Sequence, residues 1–207
     1  MDYKTEQERF WVGDFGDKYL KRNQGDDILA ANLAFFTKAL NSVDSLKSCI
    51  EFGANIGMNL KALKLLHPEL DMSAIEINTQ AVKKLESIIP KKNIIHDSIL
   101  NVELTRQYDL TLIRGVLIHI NPEELPNVYT KLVQSVKGYL LVAEYYNPTP
   151  VEVNYRGNSD RMFKRDFAGE LMDIYPELSL VDYGFSYKRD SKFDHGDVTW
   201  FLLKKNA

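Results

Sequence analysis

The stretch Ser48-Cys-Ile-Glu-Phe-Gly-Ala-Asn-Ile-Gly-Met-Asn59 decides the fold that this sequence predicts. It begins as an apolar strand that contains Glu51, and it passes Gly53 and Gly57 before a helical pattern starts. The two glycines allow the backbone to turn tightly, and they let a ligand approach the first turn of the helix without meeting a side chain. This pattern predicts a cofactor-binding turn between a strand and a helix of an α/β protein.

The glycine spacing in this turn argues against a dinucleotide. A dinucleotide fingerprint that starts at Gly53 requires glycine at positions 55 and 58, where the chain has Asn55 and Met58. A cofactor with adenine, ribose and a charged tail, but without a pyrophosphate, does not need the middle glycine. S-adenosylmethionine is such a cofactor, and the sequence therefore favours it over NAD.

Acidic residues follow the next two predicted strands. The second strand lies in Asp71–Ile77, and its Glu76 follows Gly53 by 23 positions. An acid that binds ribose hydroxyls typically stands about 20 positions after the first glycine. The third strand ends at Asp97 and Ser98, where an adenine amino group can be bound. The spacing therefore indicates a nucleoside-binding edge of the sheet.

The fourth predicted strand lies in the apolar run Tyr108–Ile120, which Arg114 and Gly115 interrupt. Because burying an unpaired guanidinium is costly, we expect Arg114 at the carboxyl edge of the sheet. There its side chain can form an ion pair or contact the cofactor, and the sequence leaves both roles open.

These four strand ends resemble the class I S-adenosylmethionine-dependent methyltransferases, over roughly residues 45–145. The first motif of that family is acid-x-Gly-x-Gly-x-Gly, from which Asn55 departs. The resemblance implies S-adenosylmethionine as the cofactor and methyl transfer as the activity. The cofactor-binding residues that it implies are Glu51, Gly53, Ala54, Asn55, Gly57, Glu76, Ile77, Asp97, Ser98 and Arg114.

Alternating strand and helix patterns predict an α/β protein with helices on both faces of a mainly parallel sheet. The resemblance implies a Rossmann-like class I methyltransferase fold with seven strands. The last two strands, in Leu178–Tyr187 and Asp197–Lys204, are expected to form a C-terminal β-hairpin. We expect a single domain over residues 1–207, in which residues 1–45 form an N-terminal helical cap and residues 147–166 a substrate-side insertion.

The cap adds two expected cofactor contacts. Tyr19 and Arg22 are three residues apart and therefore share one helix face. From that face the guanidinium can form a two-pronged pair with the methionine carboxylate of the cofactor. A solvated helix end is the alternative interpretation.

A second, narrower resemblance concerns the acceptor. The segments Phe10–Asn23, Asn147–Pro150 and Tyr155–Glu170 resemble the methylases associated with pseudaminic acid biosynthesis, which implies sugar chemistry. Basic side chains alternate with aromatic rings in the third segment, and this combination suits an anionic acceptor with a ring, although a solvated basic loop is the alternative. The predicted substrate-binding residues are Trp11, Tyr145, Asn147, Tyr155, Arg156, Arg161 and His195.

Three residues are candidates for a catalytic base. A hydroxyl acceptor must lose a proton. The candidates are His119, in the run of the fourth predicted strand, and Glu144 and Tyr146, in the fifth predicted strand, Tyr139–Tyr146. A histidine has a pKa that suits proton removal near neutrality, but His119 can equally be a satisfied, half-buried residue.

Composition limits the partners. The net charge of −3 disfavours a nucleic-acid acceptor, and no run approaches the roughly 20 apolar residues of a membrane span. No histidine or carboxylate pair has the spacing of metal ligands, so no metal is expected. The polar N-terminus lacks the apolar core of a signal peptide, which favours a cytoplasmic location.

The sequence therefore predicts an S-adenosylmethionine-dependent O- or N-methyltransferase. Its expected acceptor is a small molecule, namely a sugar or nucleotide-sugar of surface glycan biosynthesis. The alternatives are a methyltransferase for another carboxylate-bearing metabolite or a protein side chain, and a catalytically silent cofactor-binding regulator. The number of subunits is not predicted.

Overall fold

A computed structural model describes residues 3–194 and 196–206 of the chain. Its strands and helices alternate through the central part of the sequence. The strands are β1 (Ser48–Phe52), β2 (Asp71–Ile75), β3 (Ile94–Ile95), β4 (Tyr108–Arg114), β5 (Val136–Glu144), β6 (Val151–Glu152), β7 (Phe163–Lys164), β8 (Leu178–Ser186) and β9 (Val198–Lys205). The α-helices are α1 (Glu6–Val12), α2 (Asp14–Leu20), α3 (Asp26–Ala39), α4 (Met58–Leu66), α5 (Thr79–Leu85), α6 (Leu125–Ser135) and α7 (Phe167–Ile174).

Seven of the strands form one sheet in the order β3-β2-β1-β4-β5-β9-β8. Strands β1 to β5 run parallel, whereas β9 is antiparallel to both β5 and β8. The predicted mainly parallel seven-stranded sheet and its C-terminal hairpin are therefore confirmed. Because β1 to β5 are parallel, their carboxyl ends meet at one edge of the sheet, where ligands of α/β proteins bind.

The strand side chains alternate between two apolar layers. Ile50 and Phe52 of β1 pack on the face that α6 and α7 cover, and Cys49 packs on the face of α3 and α4. This alternation follows from the two-residue repeat of a strand and explains why β1 reads as a continuous apolar run. Burial on both faces fixes the register of the strands and thus the positions of their ends.

The structure differs from the sequence-based prediction in the fourth strand and adds detail to the insertion. The apolar run that begins at Tyr108 leaves the sheet after Arg114, because Gly115 adopts a φ of 65° that turns the chain. Leu117–His119 then forms a 3₁₀ turn, so His119 follows the fourth strand and does not belong to it. The insertion is also partly ordered, since β6 and β7 pair within it as a small antiparallel sheet.

The N-terminal cap lies over the carboxyl edge of the main sheet. Thr5 begins α1 through a capping box with Glu8. Asn78, which follows β2, donates to the carbonyl of Trp11 at 3.2 Å and to Asp17 at 2.9 Å. Gln7 donates to the carbonyl of Asp160 in the insertion at 3.0 Å. These bonds connect the cap to both the sheet edge and the insertion.

Candidate active site

A cavity of about 670 Å³ lies between the cap and the carboxyl edge of the sheet. Its walls come from helices α1 to α4, the loops after β1 to β5, the insertion and the loop between β8 and β9. This volume lies within the range of about 300–1,000 Å³ that small-molecule sites occupy.

The loop after β1 has the shape that its glycines suggest. Gly53 and Gly57 adopt φ values of 72° and 79°, and Asn55, which replaces the family glycine, also adopts a positive φ of 50°. Asparagine tolerates this left-handed region better than most residues with a side chain. The departure at Asn55 therefore leaves the loop tightly turned, and Gly53, Ala54 and Asn55 line the cavity.

Glu76 holds this loop from the neighbouring strand end. One carboxylate oxygen accepts from the backbone N–H of Asn55 at 2.6 Å, and the other accepts from that of Asn78 at 2.7 Å. Burial raises the pKa of Glu76, and these backbone hydrogen bonds oppose the rise. Each oxygen has a further lone pair, so the carboxylate can still accept from a ligand.

Other predicted residues complete this side of the cavity. Ile77, Asp97 and Ser98 line it after β2 and β3. Asp97 accepts from the backbone N–H of Ser98 at 2.7 Å, which fixes the side chain at the strand end. Because β2 and β3 are neighbours in the sheet, Glu76 and Asp97 belong to the same side of the cavity.

Arg114 joins the strand ends to helices α3 and α4. Its Nη1 donates to Asn32 and to Asn59, each at 2.8 Å, and its guanidinium lies 4.4 Å from the ring centre of Phe35. Asn59 in turn donates to Glu51 at 2.6 Å. Burial lowers the pKa of Arg114 to about 10, and the nearby acid Glu51 opposes this change.

Glu51 lies beneath the cavity wall formed by this network. It is buried, and burial raises its pKa to about 8 although Asn59 and Arg114 stabilise its charged form. Its Oε2 has no hydrogen-bond partner among the described residues. Glu51 and Gly57 do not line the cavity directly, and Glu51 instead supports Asn59, which does.

Glu144 stands at the end of β5, on the opposite side of β1 from Glu76. Its Oε1 accepts from the backbone N–H groups of Val116 at 3.0 Å and Leu117 at 2.9 Å, while no described residue donates to its Oε2. Burial raises the pKa of Glu144 to about 7, and the backbone N–H groups oppose the rise. A carboxyl group with this pKa exchanges protons near neutral pH.

His119 is buried between two aromatic rings. Its ring centre lies 4.8 Å from that of Trp11 and 4.9 Å from that of Tyr155. Nδ1 contacts the carbonyl oxygen of Arg161 at 2.5 Å, so Nδ1 carries the hydrogen and Nε2 has the free lone pair. Burial lowers the pKa of His119 to about 4, and the imidazole is therefore neutral at physiological pH.

The structure brings most of the predicted cap and acceptor residues into the same cavity. Tyr19 and Arg22 line it, and burial raises the pKa of Tyr19 to about 12. Arg22 lies over the ring of Tyr19 at 5.5 Å. The other predicted residues that line the cavity on this side are Trp11, His119, Glu144, Tyr145, Tyr155 and Arg156.

Among the predicted catalytic and substrate-binding residues, Tyr146, Asn147 and Arg161 do not line the cavity. Tyr146 is 41% exposed and packs beside Phe201, because β5 ends at Glu144 and the chain then leaves the sheet edge. Asn147 donates to the carbonyl of Thr149. The guanidinium of Arg161 lies 5.3 Å from the ring centre of Phe10, outside the cavity. His195, another predicted substrate-binding residue, lies outside the described residues.

Comparison with known families is consistent with this geometry. Residues 30–194 match the family described as Tellurite resistance protein TehB. The chain belongs to the TehB family. This is a family of S-adenosylmethionine-dependent methyltransferases, and the chain is such an enzyme with that cofactor. No curated protein matches its sequence.

Solved structures share the fold of this TehB-family chain at low sequence identity. The 1,6-didemethyltoxoflavin-N1-methyltransferase of Burkholderia thailandensis, with its ligand and S-adenosylhomocysteine bound, has a TM-score of 0.75 and 11% identity, over 100% of this chain and 92% of that one. The magnesium protoporphyrin IX methyltransferase of Synechocystis, with S-adenosylmethionine bound, has a TM-score of 0.68 and 11% identity, over 100% of both chains.

Several polar residues of the cavity were missed by sequence reasoning. Asn32 and Asn59 hold Arg114, and Asn78 holds the cap. Gln7 and Glu8 line the cavity from α1. The pattern Thr-x-x-Glu at residues 5–8 is a sequence signal for a helix start, but it carries no information about which face of the helix meets the cavity.

Proposed function

We propose that the cavity binds S-adenosylmethionine over the ends of β1 to β3 and a small-molecule acceptor over the ends of β4 and β5. The observation that carries this proposal is that one cavity contains two different surfaces. Carboxylates of Glu76 and Asp97 line one side, and the aromatic rings of Trp11, His119 and Tyr155 line the other.

The residues on the first side fit the cofactor by their chemistry. Glu76 and Asp97 are hydrogen-bond acceptors, which suits the hydroxyl and amino donors of adenosine. Arg22 and Arg114 supply positive charge for the cofactor carboxylate. When bound, S-adenosylmethionine supplies an electrophilic methyl group on a sulfonium. The protein's contribution is to hold the acceptor atom in line with that methyl group and to exclude water beneath the cap.

For a hydroxyl acceptor we assign the role of general base to Glu144. Its pKa of about 7 matches the pH at which proton removal is needed, whereas the pKa of His119, about 4, makes the imidazole a weak base. Oε1 of Glu144 is held by two backbone N–H groups, and Oε2 is the oxygen that we assign to the proton. His119 then orients the rings of Trp11 and Tyr155.

The proposed acceptor is an anionic sugar or nucleotide-sugar. Arg156 lines the acceptor side, and its guanidinium lies 5.7 Å from the ring centre of Tyr155. This pair combines a positive charge with an aromatic face, which suits a ring that carries a carboxylate or phosphate. Lys188 of the β8–β9 loop also lines the cavity, and it pairs with Asp197 at 3.2 Å.

Two measurements test the proposal. Titration calorimetry is expected to detect S-adenosylmethionine binding and no tight NADH binding. Incubation with labelled methyl donor and a panel of nucleotide-sugars and acidic sugars, followed by mass spectrometry, is expected to identify a methylated sugar. Cofactor binding without any methyl transfer would favour a catalytically silent regulator. Methylation of only a non-sugar metabolite or only a protein would reject the sugar acceptor.

A further inference from the structure

Two side chains of α1 have hydrogen-bonding capacity that the protein does not use. Gln7 and Glu8 line the cavity, yet only 7% and 6% of their surfaces are exposed. In each, Oε1 has no hydrogen-bond partner among the described residues. Buried polar atoms without partners are uncommon because they lose hydration without compensation.

The hydrogen bonds that these two side chains already make determine which of their atoms can still bind a ligand. Nε2 of Gln7 donates to the carbonyl oxygen of Asp160, which can only accept, so the amide orientation is determined and Oε1 is the free atom. Oε2 of Glu8 accepts from the backbone N–H of Thr5 at 2.8 Å and from its hydroxyl at 3.1 Å. Both free atoms are therefore acceptors held in place by their own side chains.

The neighbouring groups favour a hydroxylated ring as the partner of these oxygens. Trp11 follows Gln7 by four positions and Glu8 by three, so the three side chains share one side of α1. Trp11, His119 and Tyr155 form an adjacent aromatic surface. A sugar ring can pack its apolar face on this surface and donate from its hydroxyl groups, whereas an anionic group is repelled by Glu8.

We infer that Oε1 of Gln7 and Oε1 of Glu8 accept hydrogen bonds from two hydroxyl groups of the acceptor sugar and thereby select it. This inference rests on the proposed function and deepens it. The acceptor is bound in a fixed orientation, with its hydroxyl groups towards α1 and its anionic group towards Arg156. The cap thus determines specificity in addition to covering the cofactor.

The variant Glu8→Gln tests the inference with a minimal change. The Thr5 donors keep the amide oxygen in the position of Oε2, so an NH₂ donor replaces the free acceptor. Glu6→Gln is the matched control, because Glu6 lies on the same helix, is exposed and pairs with Arg9 at 2.9 Å. Gln7→Met is a second variant that removes the other free oxygen if Glu8→Gln does not fold.

Binding is measured by saturation-transfer NMR with S-adenosylhomocysteine present, against a panel of nucleotide-sugars and their monodeoxy analogues. We expect Glu8→Gln to weaken binding of the preferred nucleotide-sugar roughly tenfold or more, and Glu6→Gln to leave it unchanged. One monodeoxy analogue is expected to bind the wild type as weakly as it binds Glu8→Gln. A purely structural role of Glu8 would not produce this coupling.

The other outcomes overturn the inference in distinguishable ways. If the wild type and the folded variants bind the nucleotide-sugar equally well, the two oxygens do not contact the sugar. The proposed methyl-transfer function would be unaffected by that result. A wild type that binds no sugar of the panel but binds S-adenosylmethionine would reject the sugar hydroxyls and keep the cofactor site. Failure to bind S-adenosylmethionine in calorimetry would reject the proposed function itself.

Discussion

The two sides of the cavity are built in different ways. The side over β1 to β3 is built mainly from residues just beyond the ends of parallel strands, such as Gly53, Glu76 and Asp97. The acceptor side combines α1, the turn at His119, the insertion and the β8–β9 loop, which are far apart in the sequence. A sheet fixes the positions of its strand ends, whereas loops and caps are positioned only by their own contacts. The first side is therefore the more predictable one.

The largest expected effect concerns Glu144, on the acceptor side of the cavity. We expect Glu144→Gln to lower kcat at least about 100-fold with the acceptor found by the labelled-methyl assay, because general-base catalysis contributes roughly 100- to 10,000-fold. The amide can still accept at Oε1, so S-adenosylmethionine affinity and thermal stability should change little. In the wild type, activity should rise as the pH passes through about 7, because only the ionised carboxylate accepts a proton.

Tyr146→Phe is the control for this experiment, since Tyr146 follows β5 but packs beside Phe201. It should retain wild-type kcat. A Glu144→Gln enzyme with full activity and an unchanged pH profile would reject the carboxylate as the base and favour an acceptor that is already neutral and nucleophilic, such as an amine.

The next effect concerns the cofactor side alone. We expect Glu76→Ala to weaken S-adenosylmethionine binding by about 1.5–3 kcal/mol, the range for hydrogen bonds to charged groups. The variant also loses the bonds to Asn55 and Asn78, so its melting temperature must be measured with its affinity by calorimetry. Glu86→Ala is the control, because Glu86 pairs with Lys91 on the surface. Unchanged affinity in a folded Glu76→Ala protein would remove Glu76 from the site.

The sequence predicts the cofactor side of the cavity better than the acceptor side. The strand-end rule predicts Glu76, Asp97 and Arg114 at one edge of the sheet, and all three line the cavity there, because burial on both faces fixes the register of the parallel strands. The same rule cannot separate Glu144 from Tyr146. Their two-residue spacing suggests a common face, but β5 ends between them and the chain turns away.

Tertiary contacts determine which residues of the cap and the insertion reach the cavity. Gln7 and Glu8 look like ordinary first-turn residues of a capped helix, and only the docking of α1 on the sheet edge and the insertion brings them to the cavity. Within the insertion, Arg156 and Asp160 adopt left-handed conformations, with φ values of 51° and 53°, and Arg156 lines the cavity whereas Arg161 does not. Neither residue type requires that conformation, so the sequence does not reveal it.

A smaller effect should separate two arginines that the sequence treats alike. We expect Arg156→Ala to raise the KM for an anionic acceptor roughly tenfold without changing kcat or cofactor affinity, as loss of uniform binding does. Arg161→Ala is the matched control, because its guanidinium lies over Phe10 and only its backbone carbonyl contacts His119. Added salt should weaken acceptor binding in the wild type more than in Arg156→Ala. An equal rise in KM for both variants would contradict the cavity geometry.

The smallest effect concerns the buried carboxyl groups that support the two sides. Burial raises the pKa of Glu51 to about 8 and that of Glu144 to about 7, both above the value of about 4.5 in an unfolded chain. The folded protein therefore binds more protons than the unfolded chain in this range, and its stability falls as the pH rises towards 8. Burial of neutral His119 opposes this slope between about pH 6.5 and 8, because an unfolded histidine, with a pKa of about 6.5, still binds protons at the lower end of the range, and this opposition fades as the pH rises to 8.

We expect a loss on the order of 1 kcal/mol for each pH unit between pH 6.5 and 8, measured by chemical denaturation of the cofactor-free protein. Glu51→Gln keeps an oxygen to accept from Asn59 but cannot ionise, so its stability should depend less on pH than that of the wild type. S-adenosylmethionine should also reduce the slope if its positive charge stabilises the ionised carboxylates. Parallel stability curves for the wild type and Glu51→Gln would mean that Glu51 titrates alike in the folded and unfolded chains.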